Sequence, residues 1–217
     1  MWNLKSSRLS NSSLWLGGLA STAMLLLTSP AYAHHAMGGR MPSNAWEGFM
    51  SGLAHPIVGL DHAAFVVAMG CLAALLGLTW SLPIAFVLAS LAGTGLHIMS
   101  FDMPGSEFFV AASVLLFGLL LTLQQRPNAG LTLALATLAG LFHGYAYGES
   151  IVGAEMTPLV SYLAGFAVIQ LGIALLASRV ARQFLQRQSD GPVLPLQFAG
   201  FTVAGIGLAF LAKSVGL

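Results

Sequence analysis

The sequence predicts an all-α, polytopic membrane protein: a six-transmembrane-helix bundle after a cleaved signal peptide. Three observations lead there. Apolar residues make up 57% of the chain and charged residues 7%, with a mean hydropathy of +0.83, which is too little charge to solvate a globular surface although a lipid-facing surface needs none. Six apolar stretches are long enough to span a bilayer, and because lipid offers no water to backbone groups these must be helices. The N-terminus, finally, has the layout of a secretory signal.

Residues 1–33 form that signal. Lys5 and Arg8 give a basic start, Leu14 to Thr28 an apolar core, and Ala31-Tyr32-Ala33 the small residues a signal peptidase accepts. The competing reading is an uncleaved first helix, but the apolar core is shorter than the roughly 20 residues a span requires. Cleavage leaves residues 34–45 as an external N-terminal tail beginning at His34 and residues 46–217 as the six-helix domain. No acidic residue lies in the signal, so losing Lys5 and Arg8 takes the formal charge from +1 to −1.

The spans fall at about 46–76, 79–98, 107–125, 129–148, 157–178 and 194–214. Between them stand turn-forming residues: Thr79-Trp80, Pro104-Gly105, Pro127-Asn128, Gly153 and Asp190-Gly191-Pro192. An external N-terminus puts Arg126, Arg179, Arg182 and Arg187 in the cytoplasm and Asp102, Glu107, Glu149 and Glu155 outside, which is the positive-inside pattern. Arg40 is external but in the tail, and Lys213 near the outer end of the last span can snorkel. No basic cluster is dense enough to track phosphates, so nucleic acid is not an expected partner. The single cysteine, Cys71, rules out an internal disulfide framework and a cysteine-only metal site.

Two polar clusters interrupt the apolar spans: HPIVGLDH from His55 to His62 and FHGYAYGE from Phe142 to Glu149. A charged residue at a helix centre costs roughly 2.5–3.5 kcal/mol on insertion scales, so an intramembrane Asp61 flanked by histidines is read as an ion or proton site. The two clusters are read as halves of one site. In an unbroken helix His55 and His62 share a face but stand about 10 Å apart along the axis, with Asp61 about 120° away, too far for one metal. Either the histidines are successive stations on a path, or the helix opens between Pro56, which lacks an amide proton, and Gly59.

His55 precedes Asp61 by the same interval as His143 precedes Glu149, and with three spans per half the second half would run in the opposite sense, as an inverted repeat requires. Gly140, Gly144 and Gly148 form a small-residue stripe that admits a neighbouring helix closely and is expected to bring His143 near the first span.

The pattern His-Pro-x-x-Gly-x-Asp-His at His55 to His62, with Phe-His-Gly-x-Ala-x-Gly-x at Phe142 to Glu149, resembles the HupE/UreJ family of bacterial membrane proteins. The resemblance extends over the signal, the mature start near histidines and the six helices. It implies a permease rather than an enzyme, one that moves nickel or cobalt and is associated with hydrogenase or urease maturation. It carries over His55, Asp61, His62 and His143 as metal residues, with Glu149 as the carboxylate that directly follows Gly148. No prosthetic group is implied; Ni2+ or Co2+ would be the cargo.

The residue chemistry fits a transition metal without selecting one. Imidazole suits nickel, cobalt, zinc and copper alike, and the carboxylate disfavours soft monovalent copper. Asp61 could act as a ligand, as an acceptor orienting His62, or as a proton site. Weaker metal candidates are His34 and His35 at the mature N-terminus and His97, which with Met99, Asp102 and Met103 could form a vestibule. Gln170 is expected to serve as an interhelical hydrogen-bond partner. Two other classes use similar residues. A zinc-dependent intramembrane hydrolase would need three protein ligands and a bound water, and a haem protein would bridge histidines from two helices.

Overall fold

The computed structural model describes residues 40–123, 125–187 and 193–217. The signal at 1–33, His34, His35 and the Asp190-Gly191-Pro192 turn lie outside the described residues. Among the described residues there are seven helices and no strand: α1 Ala45–Val58, α2 Leu60–Leu76, α3 Ser81–Ile98, α4 Ser106–Thr122, α5 Ala129–Gly148, α6 Met156–Arg187 and α7 Leu194–Ser214.

The first expected span is two helices. α1 starts at Asn44, whose side chain accepts the Glu47 amide at 2.9 Å, while the Glu47 carboxylate accepts the Ser43 amide at 2.9 Å, closing a reciprocal cap. Pro56 leaves the Gly52 carbonyl without its helical donor, and at Gly59 the backbone leaves the helix at φ −74°, ψ 100°. α2 then departs at 79° to α1. Of the two alternatives the sequence leaves open, the break is therefore the one adopted. Its glycine is there for space rather than for an unusual dihedral. A Cβ on Gly59 would lie 3.3 Å from His62 Nδ1 and 3.4 Å from Asp61 Oδ1.

Helices α3, α5, α6 and α7 are long and apolar enough to cross a membrane, and the bent α1–α2 pair makes a fifth crossing when counted as one. α4 is apolar but has 17 residues, about 25 Å of helix against a hydrocarbon core of about 30 Å. α6 runs nine residues past the expected end at 178, because nothing from Arg179 to Arg187 breaks a helix. Leu88, Val168, Leu176, Phe201 and Leu208 are all more than half exposed, an apolar exterior that suits acyl chains and marks a multi-pass membrane protein. Phe65, Met69, Leu72, Phe86 and Phe117 fill the interior.

The helices pack in pairs through glycine. Gly48 faces Pro158 and Gly52 faces Tyr162, so α1 runs parallel to α6; Gly118 faces Ala204 and Gly207 faces Leu115, so α4 and α7 are antiparallel. The stripe Gly140, Gly144 and Gly148 packs on Phe86, Ser90 and His97 of α3, and His143 nevertheless lies near the first span, as expected; the Thr94 hydroxyl donates to the Gly144 carbonyl across the α3–α5 seam at 2.7 Å. Taking α1–α2, α3 and α4 as one half and α5, α6 and α7 as the other, exchange of the halves swaps the two parallel pairs and maps the antiparallel pair onto itself. An inverted repeat has this pairing.

Candidate functional site

The bend at Gly59 brings the last turn of α1 and the first turn of α2 to the same depth. His55, Asp61 and His62 meet there, joined by His143 from α5, and none of the four is more than 6% exposed. The His55 and His62 ring centroids are 6.2 Å apart and those of His62 and His143 4.9 Å apart. His143 turns away from the glycine stripe, so α5 grips α3 with one face and offers its imidazole to α2 with the next.

Hydrogen bonds fix the ring nitrogens. Asp61 Oδ1 accepts the His62 amide at 2.9 Å and His62 Nδ1–H at 2.8 Å, which leaves the lone pair on His62 Nε2. The Ser113 hydroxyl donates to the Val110 carbonyl at 2.7 Å, so its oxygen accepts His143 Nε2–H at 2.9 Å and the lone pair falls on His143 Nδ1. Both lone-pair nitrogens are buried with no hydrogen-bond partner among the described residues. His55 differs: its Nδ1 is 3.1 Å from the Ser150 hydroxyl and 3.2 Å from the Tyr162 hydroxyl. In this arrangement no three His, Cys, Asp or Glu side chains among the described residues stand ready to hold one ion.

Four residues of this cluster escaped sequence reasoning. Tyr147 packs its ring 5.0 Å from His55 and 4.4 Å from His62, and Ser113, Ser150 and Tyr162 supply the hydroxyls. Tyr147 and Ser150 sit within or beside the second motif, so proximity could have flagged them. Ser113 and Tyr162 lie in otherwise apolar stretches with no signal.

A cavity of about 300 Å³ opens over His55, Asp61 and His62, with Glu107, Glu149 and Lys213 at its lining. Glu149 is exposed and lines the same cavity as His55 and His62. His143 lies deeper, against Phe65 at 4.4 Å. His97 belongs to neither place: its ring packs 4.3 Å from Tyr145, whose hydroxyl accepts the Met103 amide at 3.3 Å. At the far end of the bundle a second cavity, of about 330 Å³, is lined by Arg126 and Arg182. Two arginines thus line the far end, while the cavity over the histidines carries Asp61, Glu107 and Glu149 with Lys213 as its one lysine or arginine among the described residues.

A helical, multi-pass membrane protein with a buried His/Asp cluster beneath an acid-lined cavity is the class that fold and site define. Comparison with known families makes the assignment narrower. The profile described as "HupE / UreJ protein" matches residues 22–210, and the chain belongs to the HupE/UreJ family. It is 30% identical over 182 residues to Protein HupE of Rhizobium leguminosarum bv. viciae, an alignment that covers 80% of this chain and 92% of that protein. No solved structure matches it.

Proposed function

We propose that this chain is a secondary permease that moves a divalent transition metal ion, nickel first and cobalt second, across the bacterial inner membrane to supply metalloenzyme maturation such as that of hydrogenase or urease. The observation that carries the reading is the pair of buried imidazole nitrogens, His62 Nε2 and His143 Nδ1, each held in its lone-pair form by a hydrogen bond on the other side of the ring and each without a partner among the described residues. Burying an unpaired polar atom is costly unless it serves a ligand, and imidazole lone pairs serve borderline metals. The family supplies the choice of nickel and cobalt. The acid-lined cavity is the external mouth, where Glu107 and Glu149 concentrate cations. Charge asymmetry supports an orientation with the arginine end in the cytoplasm and the mature N-terminus outside. α4 is read as a short crossing, giving six spans in all.

Coordination that borrows only some ligands from protein suits an ion that must also leave. The deciding experiment is radioactive nickel uptake into cells lacking other nickel importers, with cobalt and zinc as competitors. Uptake that depends on this chain, with cobalt the stronger competitor, is the expected result; absence of chain-dependent uptake refutes the proposal.

A further inference from the structure

The buried face of α6 carries, turn after turn, Tyr162, Phe166, Gln170, Ala174 and Ser178. Tyr162 belongs to the histidine cluster through His55, and Phe166 packs 5.0 Å from Tyr147. Inward from there, Gln170 is fully buried, and neither its amide nitrogen nor its carbonyl oxygen has a hydrogen-bond partner among the described residues. The interhelical bond the sequence suggests for Gln170 is therefore not made. Ser178, about 12 Å further along the axis, is also fully buried with an unpartnered hydroxyl. This is unlike Ser90 and Thr132, which donate to the carbonyl four residues back at 2.9 and 2.8 Å. One turn beyond Ser178, Arg182 bonds Thr79 and lines the cavity at the arginine end.

These groups form a file. The Tyr147 hydroxyl, which also lacks a partner among the described residues, stands at the cluster; Gln170 and Ser178 follow, and the second cavity opens at the end. Between Gln170 and Ser178 the file is shut where Gly70 of α2 presses on the Ala174 carbonyl so closely that a Cβ would collide. A carboxamide sealed in a membrane interior with nothing to bond is unfavourable unless another state supplies water or an ion.

We propose that Gln170 and Ser178 are the polar stations of the inner half of the ion route, which open to water when α2 and α6 part at Gly70 and Ala174. The inference rests on the permease reading and deepens it. Neutral oxygen donors are weak ligands for a hydrated divalent ion, so stations of this kind pass it on rather than hold it.

The test uses the full chain in cells and purified in detergent, with Ni2+ as the probe. Gln170→Leu should slow nickel uptake about tenfold, as when one hydrogen bond is lost at the barrier, while Ni2+ affinity of the purified protein stays within about twofold. Gln170→Asn should restore much of the rate. Wild-type uptake by Gln170→Leu overturns the inference, and so does an equal loss of affinity, which would move Gln170 into the cluster. If Gln170→Leu does not accumulate, Ser178→Cys in a Cys71→Ala background decides. A charged thiol reagent applied to the cytoplasmic face of inside-out vesicles with Ni2+ present should label it; no labelling from either face means a dry interface and overturns the inference. Should the unaltered chain take up no nickel, the permease reading falls, while the labelling result still decides whether this file becomes wet.

Discussion

The rings of His62 and His143 meet edge to face, 4.9 Å between centroids and 72° between planes, across the contact of α2 and α5. Neither helix could place its imidazole there alone. α2 needs the 79° break at Gly59 to begin at this depth, and α5 needs its glycine face on α3 to turn His143 inward. Metal affinity should therefore respond to residues that hold these rings as well as to the rings themselves.

Asp61 holds His62 by its Nδ1 and backbone amide. Asp61→Asn keeps the volume but removes the charge, and nickel uptake should fall about tenfold or more at unchanged membrane abundance. His62→Gln should behave alike, since an amide bonds hydrogen but binds nickel poorly. Uptake assays paired with immunoblots check both, and normal uptake at wild-type abundance would return HPIVGLDH to a structural role. His34→Ala with His35→Ala should matter less, and only at limiting metal.

Ser113 settles which nitrogen of His143 bears the proton. Ser113→Ala releases that choice without touching the proposed ligand atoms. Affinity for Ni2+ should weaken about tenfold, at the low end of what losing an orienting partner costs, and Ser113→Thr should retain most of it. Titration calorimetry on the purified variants provides the comparison; equal affinity for Ala, Thr and the unaltered chain would disconnect Ser113 from the site.

Much of the architecture is readable from the sequence because the apolar spans and their punctuation follow directly from lipid solvation. The bend is half readable: Pro56 and Gly59 mark where the helix can open, but both halves of the bent span pack along α6, and that tertiary contact is not written in the local sequence. The hydroxyl partners are not readable at all, since Ser113 and Tyr162 sit among apolar neighbours and only tertiary contact gives them meaning. Gln170 shows the converse failure. A buried glutamine in a span predicts a bond to a neighbouring helix, and among the described residues neither end of its carboxamide makes one.

Gly59 tests whether the bend is built for space. Gly59→Ala leaves an ordinary backbone, with φ at −74°, but brings a methyl to 3.3 Å from His62 Nδ1 and 3.4 Å from Asp61 Oδ1. The protein should accumulate normally and take up nickel several-fold more slowly, on the order of the loss expected from displacing a ligand's orienting partner. Uptake equal to that of the unaltered chain would show that the pair has slack.

Topology offers a test independent of metal. A reporter fused after Arg187 should be active on the cytoplasmic side and one after Glu155 on the external side. The reverse pattern would overturn the orientation and the signal cleavage together.

The break between α1 and α2 also places two helix ends at one depth in a low-dielectric medium. α1 ends near His55 with its carbonyl pole, worth about half a negative charge, and α2 begins near Asp61 with its amide pole, worth about half a positive one. On the proposed permease reading, a cation descending from the cavity over the histidines would be drawn by the first pole and opposed by the second. Asp61 in the first turn of α2 cancels that opposition. Its carboxylate would thus shape the electric field along the proposed route whether or not it ever touched the ion, and neutralising it would raise a barrier in front of His62 even with every imidazole in place.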